Sequence, residues 1–93
     1  MNTSNRYTRR SDDGVIYAGP CFLVSVVLTA PDADSDVLVY DHASAASGDI
    51  VATVSALNGT TKQVLYLERY CAAGLYANVT GSGVIVDVTY RLA

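Results

Sequence analysis

The stretch GLYANVTGSGVIVDVTYR, residues 74–91, decides the fold class. In its second half Val84, Val86, Val88 and Tyr90 alternate with Ile85, Asp87, Thr89 and Arg91. That period of two suits a strand with one buried face and one wet face. LYANVT (75–80) precedes it, and Gly81-Ser82-Gly83 supplies the glycine that a three-residue hairpin loop wants where φ turns positive. The segment predicts two strands joined by a tight turn.

Working outward, the same grammar recurs. Asn58-Gly59 in NGTT is a strong hairpin signal between IVATVSAL (50–57) and KQVLYL (62–67). Val64, Leu67, Cys71 and Leu75 also recur at helical spacing, but a strand is preferred directly after a turn, leaving ERYCAAG as a loop with room for one helical turn. Upstream, VLVYD (37–41) lies between the loops APDADSD (30–36) and HASAASGD (42–49). CFLVSVVLT (21–29) carries Phe22, Val24, Val26 and Leu28 on its even positions, which are read as its inner face. With Val54, Val84, Val86 and Val88 these form the expected core. VIYAGP gives a short first strand stopped by Gly19-Pro20.

The total is about seven strands at even spacing and no capped helix of useful length. This predicts an all-β fold: an antiparallel β-sandwich or jelly-roll-like domain over residues 14–93. Residues 1–13 read as a flexible, basic, extended N-terminal arm, hinged at SDDG. Arg6, Arg9 and Arg10 give the arm +3 with no acid in residues 1–10, whereas residues 11–93 hold all nine acids and net −6. An acidic body argues against nucleic acid as a partner. The arm is expected to contact neighbouring acidic surfaces through Arg6, Arg9 and Arg10, with Tyr7 as apolar anchor.

At 93 residues the chain has room for one domain with a thin core. Its charged fraction, 16%, is low against the ~25% of an average soluble domain. Seven tyrosines and no tryptophan add amphipathic surface. Both features point to a chain that covers part of its surface with a second copy. The polar, basic first ten residues show no apolar signal core, and no apolar run is long enough for a membrane helix, so cytoplasmic synthesis and no membrane partner are expected. Cys21 and Cys71 then read as buried thiols rather than zinc ligands. The three N-x-[ST] triplets, at Asn2, Asn58 and Asn78, read as turn and strand residues.

Chemistry-bearing patterns are weak. DHASAAS (41–47) contains the residue types of a Ser-His-Asp triad, but neighbours in extended chain point to opposite faces, so Asp41 cannot readily orient His42. Asp32, Asp34 and Asp36 form a D-x-D-x-D run, yet an EF-hand loop starting there would need Gly and Glu where Val37 and Ala43 stand. No catalytic residue, metal or cofactor is expected.

GVIYAGPC, VLVYDHASAASGDIVA, NGTTKQVLYL and GLYANVTGSGVIVDVTYR, taken in order, resemble small virion proteins of tailed bacteriophages. The resemblance spans residues 14–91 and is carried by Val39-Tyr40-Asp41, Ser47-Gly48, Gly74-Leu75-Tyr76, Val79-Thr80-Gly81 and Gly83. It implies a non-enzymatic structural protein, a β-sandwich or jelly-roll subunit, commonly trimeric. Such a subunit acts as capsid cement or decoration on the major capsid protein, or at head–tail junctions. The arm residues Arg6, Tyr7, Arg9 and Arg10 would then touch neighbouring subunits or the capsid surface. The alternative is a carbohydrate-binding β-sandwich on the virion surface, which the lack of tryptophan disfavours.

Overall fold

The computed structural model describes residues 5–93, the side chain of Leu67 excepted. Eight strands occupy them: β1 (Asn5–Arg10), β2 (Gly14–Ala18), β3 (Cys21–Ala30), β4 (Ser35–Tyr40), β5 (Ile50–Ala56), β6 (Thr60–Cys71), β7 (Gly74–Thr80) and β8 (Ile85–Leu92). They form two four-stranded sheets, one ordered β1-β8-β3-β6 and the other β2-β7-β4-β5. Every pairing is antiparallel. Valine, tyrosine and threonine recur in the strands because β-branched and aromatic side chains fit a pleated, half-buried surface.

The pairing corrects both hairpin expectations. β7 pairs with β2 and β4, and β8 pairs with β1 and β3. The Gly81-Ser82-Gly83 turn therefore carries the chain from one sheet to the other. Asn58-Gly59 does the same between β5 and β6. Turn chemistry is common to both geometries, since each needs glycine at positive φ: Gly59 at 82°, Gly81 at 132° and Gly83 at 66°. Among the described residues, the only sequential strands that pair are β4 and β5, joined by the long 41–49 loop.

One core lies between the inner faces. Leu23, Val26 and Leu28 of β3 meet Val84, Val86 and Val88 of the β8 segment from one sheet, and Val37, Val39, Val54, Leu75 and Ala77 from the other. The expected inner residues Val26, Leu28, Val54, Val84, Val86 and Val88 are buried here, whereas Phe22 and Val24 are not. The cause is a bulge. The register of β3 slips between Leu23 and Ser25 against both neighbours, so Val24 is an extra residue relative to β8. Cys21 and Leu23 point inward before it, and Val26, Leu28 and Ala30 after it.

The same irregularity explains the length of β6. Tyr66, Leu67 and Glu68 together oppose Val24, and Glu68 takes a φ of 49°, unusual for a residue with a side chain. Pairing then resumes as Arg69 to Leu23 and Cys71 to Cys21. The strand thus runs through the ERYC segment expected to be a loop. Its charges suit an edge strand, where they discourage further pairing.

The flexible arm is also corrected. Asn5–Arg10 is β1, an edge strand in unbroken register with β8 from Asn5↔Arg91 to Arg10↔Val86. Its alternating polar side chains do not look like a core strand, but an edge strand needs only backbone partners and one shielded flank. Residues 1–4 lie outside the described residues.

Candidate interaction surface

The loops that looked chemical hold the fold. Asp41 directly follows β4, and its carboxylate accepts the backbone N–H groups of Ala72, Ala73 and Gly74 at 2.9–3.2 Å. Gly74 is required there: its φ is 143°, and a Cβ would collide with the Tyr17 carbonyl oxygen. His42 Nδ1 accepts the N–H groups of Ser44 and Ala45 at 3.1 and 3.0 Å, so its ring folds the 42–45 turn. Asp41 and His42 therefore serve separate backbone clusters, and the triad arrangement is not formed.

The D-x-D-x-D run is divided likewise. Asp34 accepts the Asn58 N–H at 2.8 Å, and Asp36 accepts the Ser55 hydroxyl. Asp32 lies beside Gly83. A shallow depression of about 390 Å³ is lined by Asp34, Ser35, Asp36, Ser55, Ala56 and Leu57. Its Ser55 hydroxyl is held by Asp36, and among the described residues no cluster of three His, Cys, Asp or Glu side chains converges as a metal set would.

The outer faces of the sheets are more distinctive. Across the β1-β8-β3-β6 sheet the register aligns Asn5, Arg91, Phe22 and Tyr70 in one row. The next rows are Tyr7, Thr89, Ser25, Leu65 and then Arg9, Asp87, Val27, Gln63. Tyr7, Leu65 and Tyr70 are 64%, 72% and 53% exposed, far more than a sheet normally leaves such side chains. Phe22 packs on Tyr70 with ring centroids 5.4 Å apart. The Arg91 guanidinium sits 5.1 Å above the Phe22 ring and pairs with Glu68.

The opposite sheet carries its own apolar row. Val15, Tyr76, Tyr40 and Ile50 align across β2, β7, β4 and β5. Val15 and Ile50 are exposed. Beyond that row the β4–β5 side is acidic, with Asp36 opposite Ser55 and Thr80.

The arm residues divide in role. Arg9 makes a forked pair with Asp87, at 2.7 and 3.2 Å, within its own chain. That hydrogen bond, and then the charge of Asp87, raises the Arg9 pKa. Arg10 folds back over Gly14, donating to the Asp12 side chain and to the carbonyls of Asp12, Asp13 and Val15. It organises the SDDG turn, which Asp13 fastens by accepting the Val79 N–H at 2.6 Å. Arg6 and Tyr7 remain exposed on β1. Leu65, Tyr70 and the Val15–Ile50 row escaped the sequence reading. Their signal was apolar residues in phase opposite to the core, hidden by the bulges.

No protein-family model matches the chain, and no curated protein and no solved structure matches it either.

Proposed function

We propose that this chain is a non-enzymatic virion protein of a tailed bacteriophage, a capsid cement or decoration subunit that binds the major capsid protein lattice as a homotrimer. The observation that carries the proposal is the strand order. A sheet β1-β8-β3-β6 facing a sheet β2-β7-β4-β5 follows the connectivity of an eight-stranded jelly-roll sandwich. That architecture recurs in viral capsid and lectin domains. A fold alone hosts many activities, so the surface has to supply the rest of the argument.

Two different apolar patches on opposite faces favour assembly by unlike surfaces. A contact between a patch and its own copy gives a dimer, whereas contact between two different patches gives a closed ring when the rotation permits. The outer face with Tyr7, Phe22, Leu65 and Tyr70 also carries Arg9 and Arg91, paired with Asp87 and Glu68; the face with Tyr40 and Tyr76 carries Asp36 two rows further along. Such a ring leaves loops and edges to face a capsid. Its place is the outer surface of the particle, after synthesis in the host cytoplasm.

Pelleting the protein with capsids that lack it, and finding saturable co-sedimentation, is the expected result. Absence of binding at micromolar protein would overturn the assignment. A second reading is favoured by Tyr40 and Tyr76, adjacent on one outer face, which could stack on a sugar ring. Saccharide titration with binding but no capsid pelleting would select it. A head–tail location predicts pelleting with neck complexes instead.

A further inference from the structure

The chain's two cysteines, fifty positions apart in sequence, are direct partners in the sheet: Cys21 opens β3, Cys71 closes β6, and the two are matched across the strand pair. Both are reduced and wholly buried. Directly opposed residues of an antiparallel pair have Cα atoms about 4.5 or 5.5 Å apart, depending on the hydrogen-bonding class. Either spacing lies within the roughly 4.4–6.8 Å that a disulfide accepts. Both side chains belong to the same buried core, so they face the same way.

We propose that Cys21 and Cys71 form a cross-strand disulfide that locks β6 onto β3 when the protein passes from a reducing to an oxidising medium. This inference rests on the register and burial alone and stands whether or not the protein is a virion subunit. In a glutathione-buffered cytoplasm the pair stays reduced, and outside the cell it closes.

The chemistry is thiol–disulfide exchange with a low-molecular-weight disulfide. One cysteine thiolate attacks a sulfur of the small disulfide, forming a mixed disulfide and releasing one small thiolate. The second cysteine thiolate attacks the protein-bound sulfur of that mixed disulfide, closes the protein bond and releases the second small thiolate. The two protons lost by the cysteines are taken up by the departing thiolates, so two small thiols are made for each protein disulfide. Hydrogen bonding between the two sulfurs lowers the first ionisation, at Cys21, and raises the second, at Cys71, which burial raises further.

Access comes through the strand ends. At this end of the molecule Gly19 N–H bonds to Ala73 and Ala93 N–H to Pro20, and Asp41 holds the turn that directly follows Cys71. Opening that end exposes both sulfurs without unfolding the sheets. Weakening it by Asp41→Asn is expected to accelerate closure several-fold at unchanged final oxidation.

The test is incubation of the native chain with oxidised glutathione at mildly alkaline pH, followed by acid quenching, denaturation and alkylation. The expected product is an unalkylated monomer lighter by about 2 Da, the two hydrogens lost to the exchange. Its Tm is raised by about 10 °C or more, since the closed loop restricts the unfolded chain. Dithiothreitol returns it to the starting value. Cys21→Ala and Cys71→Ala variants accept at most one glutathione and gain no Tm. Persistence of two alkylatable thiols in the wild type, stable single-glutathione adducts, or disulfide-linked dimers in place of the closed monomer would each overturn the proposal.

Discussion

Tyr17 of β2 and Tyr90 of β8 stack across the gap between the sheets, with ring centroids 5.3 Å apart and planes 29° from parallel. The Tyr90 hydroxyl also lies 3.4 Å from Thr8 Oγ1 on β1, so one residue ties three strands together. Tyr90→Phe keeps the stack and loses only the hydrogen bond, at an expected cost of about 1 kcal/mol. Tyr90→Ala removes the ring from a buried site and is expected to cost about 3–5 kcal/mol. Urea denaturation of the two variants checks this. Equal losses would show that the stack contributes nothing.

The bulge in β3 makes a sharper comparison. Phe22, the larger side chain, is half-buried outside, and Leu23, the smaller, is fully buried inside. Leu23→Ala is expected to destabilise by about 2–5 kcal/mol. Phe22→Ala should cost only about 1 kcal/mol, chiefly the lost contact with Tyr70 and Arg91. Hydrophobicity alone gives the reverse order, so denaturation midpoints of this pair read the bulge directly.

How far the sequence speaks is clear from these residues. Val84, Val86 and Val88 follow an undisturbed period of two, and their burial is legible at once. Phe22 reads as core because one extra residue inverts the phase of a strand, and nothing in CFLVSVVLT marks Val24 as that residue. Periodicity likewise tells which side of a strand is buried but not which sheet the strand joins. That is why Gly81-Ser82-Gly83 passed for a hairpin. β1 was hidden for a different reason. Its stability comes from backbone bonds to β8 and from Tyr90, eighty-two positions beyond Thr8, and neither leaves a mark in NRYTRR itself. The outer face depended on both corrections, since Leu65 and Tyr70 share it with Tyr7, at the opposite edge of the sheet, only once β1 and the whole of β6 are in place.

Asp41 and His42 invite a paired test. Asp41→Ala strands three backbone N–H groups at the start of β7, and a loss of about 2 kcal/mol is expected. His42→Ala releases two N–H groups in a more exposed loop, and about 1 kcal/mol or less is expected. Melting curves of the two variants rank them. A larger loss at His42 would mean that the 42–45 turn, rather than the β6–β7 turn, holds this end of the molecule.

The exposed apolar patch predicts a separation of folding from assembly. Leu65→Ser and Tyr70→Ser alter side chains that are mostly in water, so each should shift stability by less than about 1 kcal/mol. In a head-to-tail ring they remove contact area from every interface. Sedimentation equilibrium is expected to show the wild type as a trimer and the double variant as a monomer at the same concentration. A wild type that is monomeric throughout removes the basis for the ring.

β1 joins the two kinds of effect, and its side chains allow them to be pulled apart. Deleting residues 1–10 uncovers the length of β8 and strips Thr8 from Tyr90, so the fold itself is expected to lose several kcal/mol. The Arg9–Asp87 pair contributes little of this, because an exposed ion pair is worth only ~0–1 kcal/mol. Deletion is thus the wrong probe of recognition, since weak capsid binding by a half-unfolded subunit has no specific meaning. Arg6→Ala with Tyr7→Ala leaves the β1 backbone and its bonds to β8 intact while removing an exposed charge and an exposed ring. That double variant should melt within about 1 kcal/mol of wild type. It should nevertheless pellet poorly with capsids. Raised salt should mimic the loss of Arg6 but not that of Tyr7, because only the charge is screened. If the variant pelleted with wild-type affinity and salt response, β1 would be a structural edge and the recognition surface would lie elsewhere on the subunit.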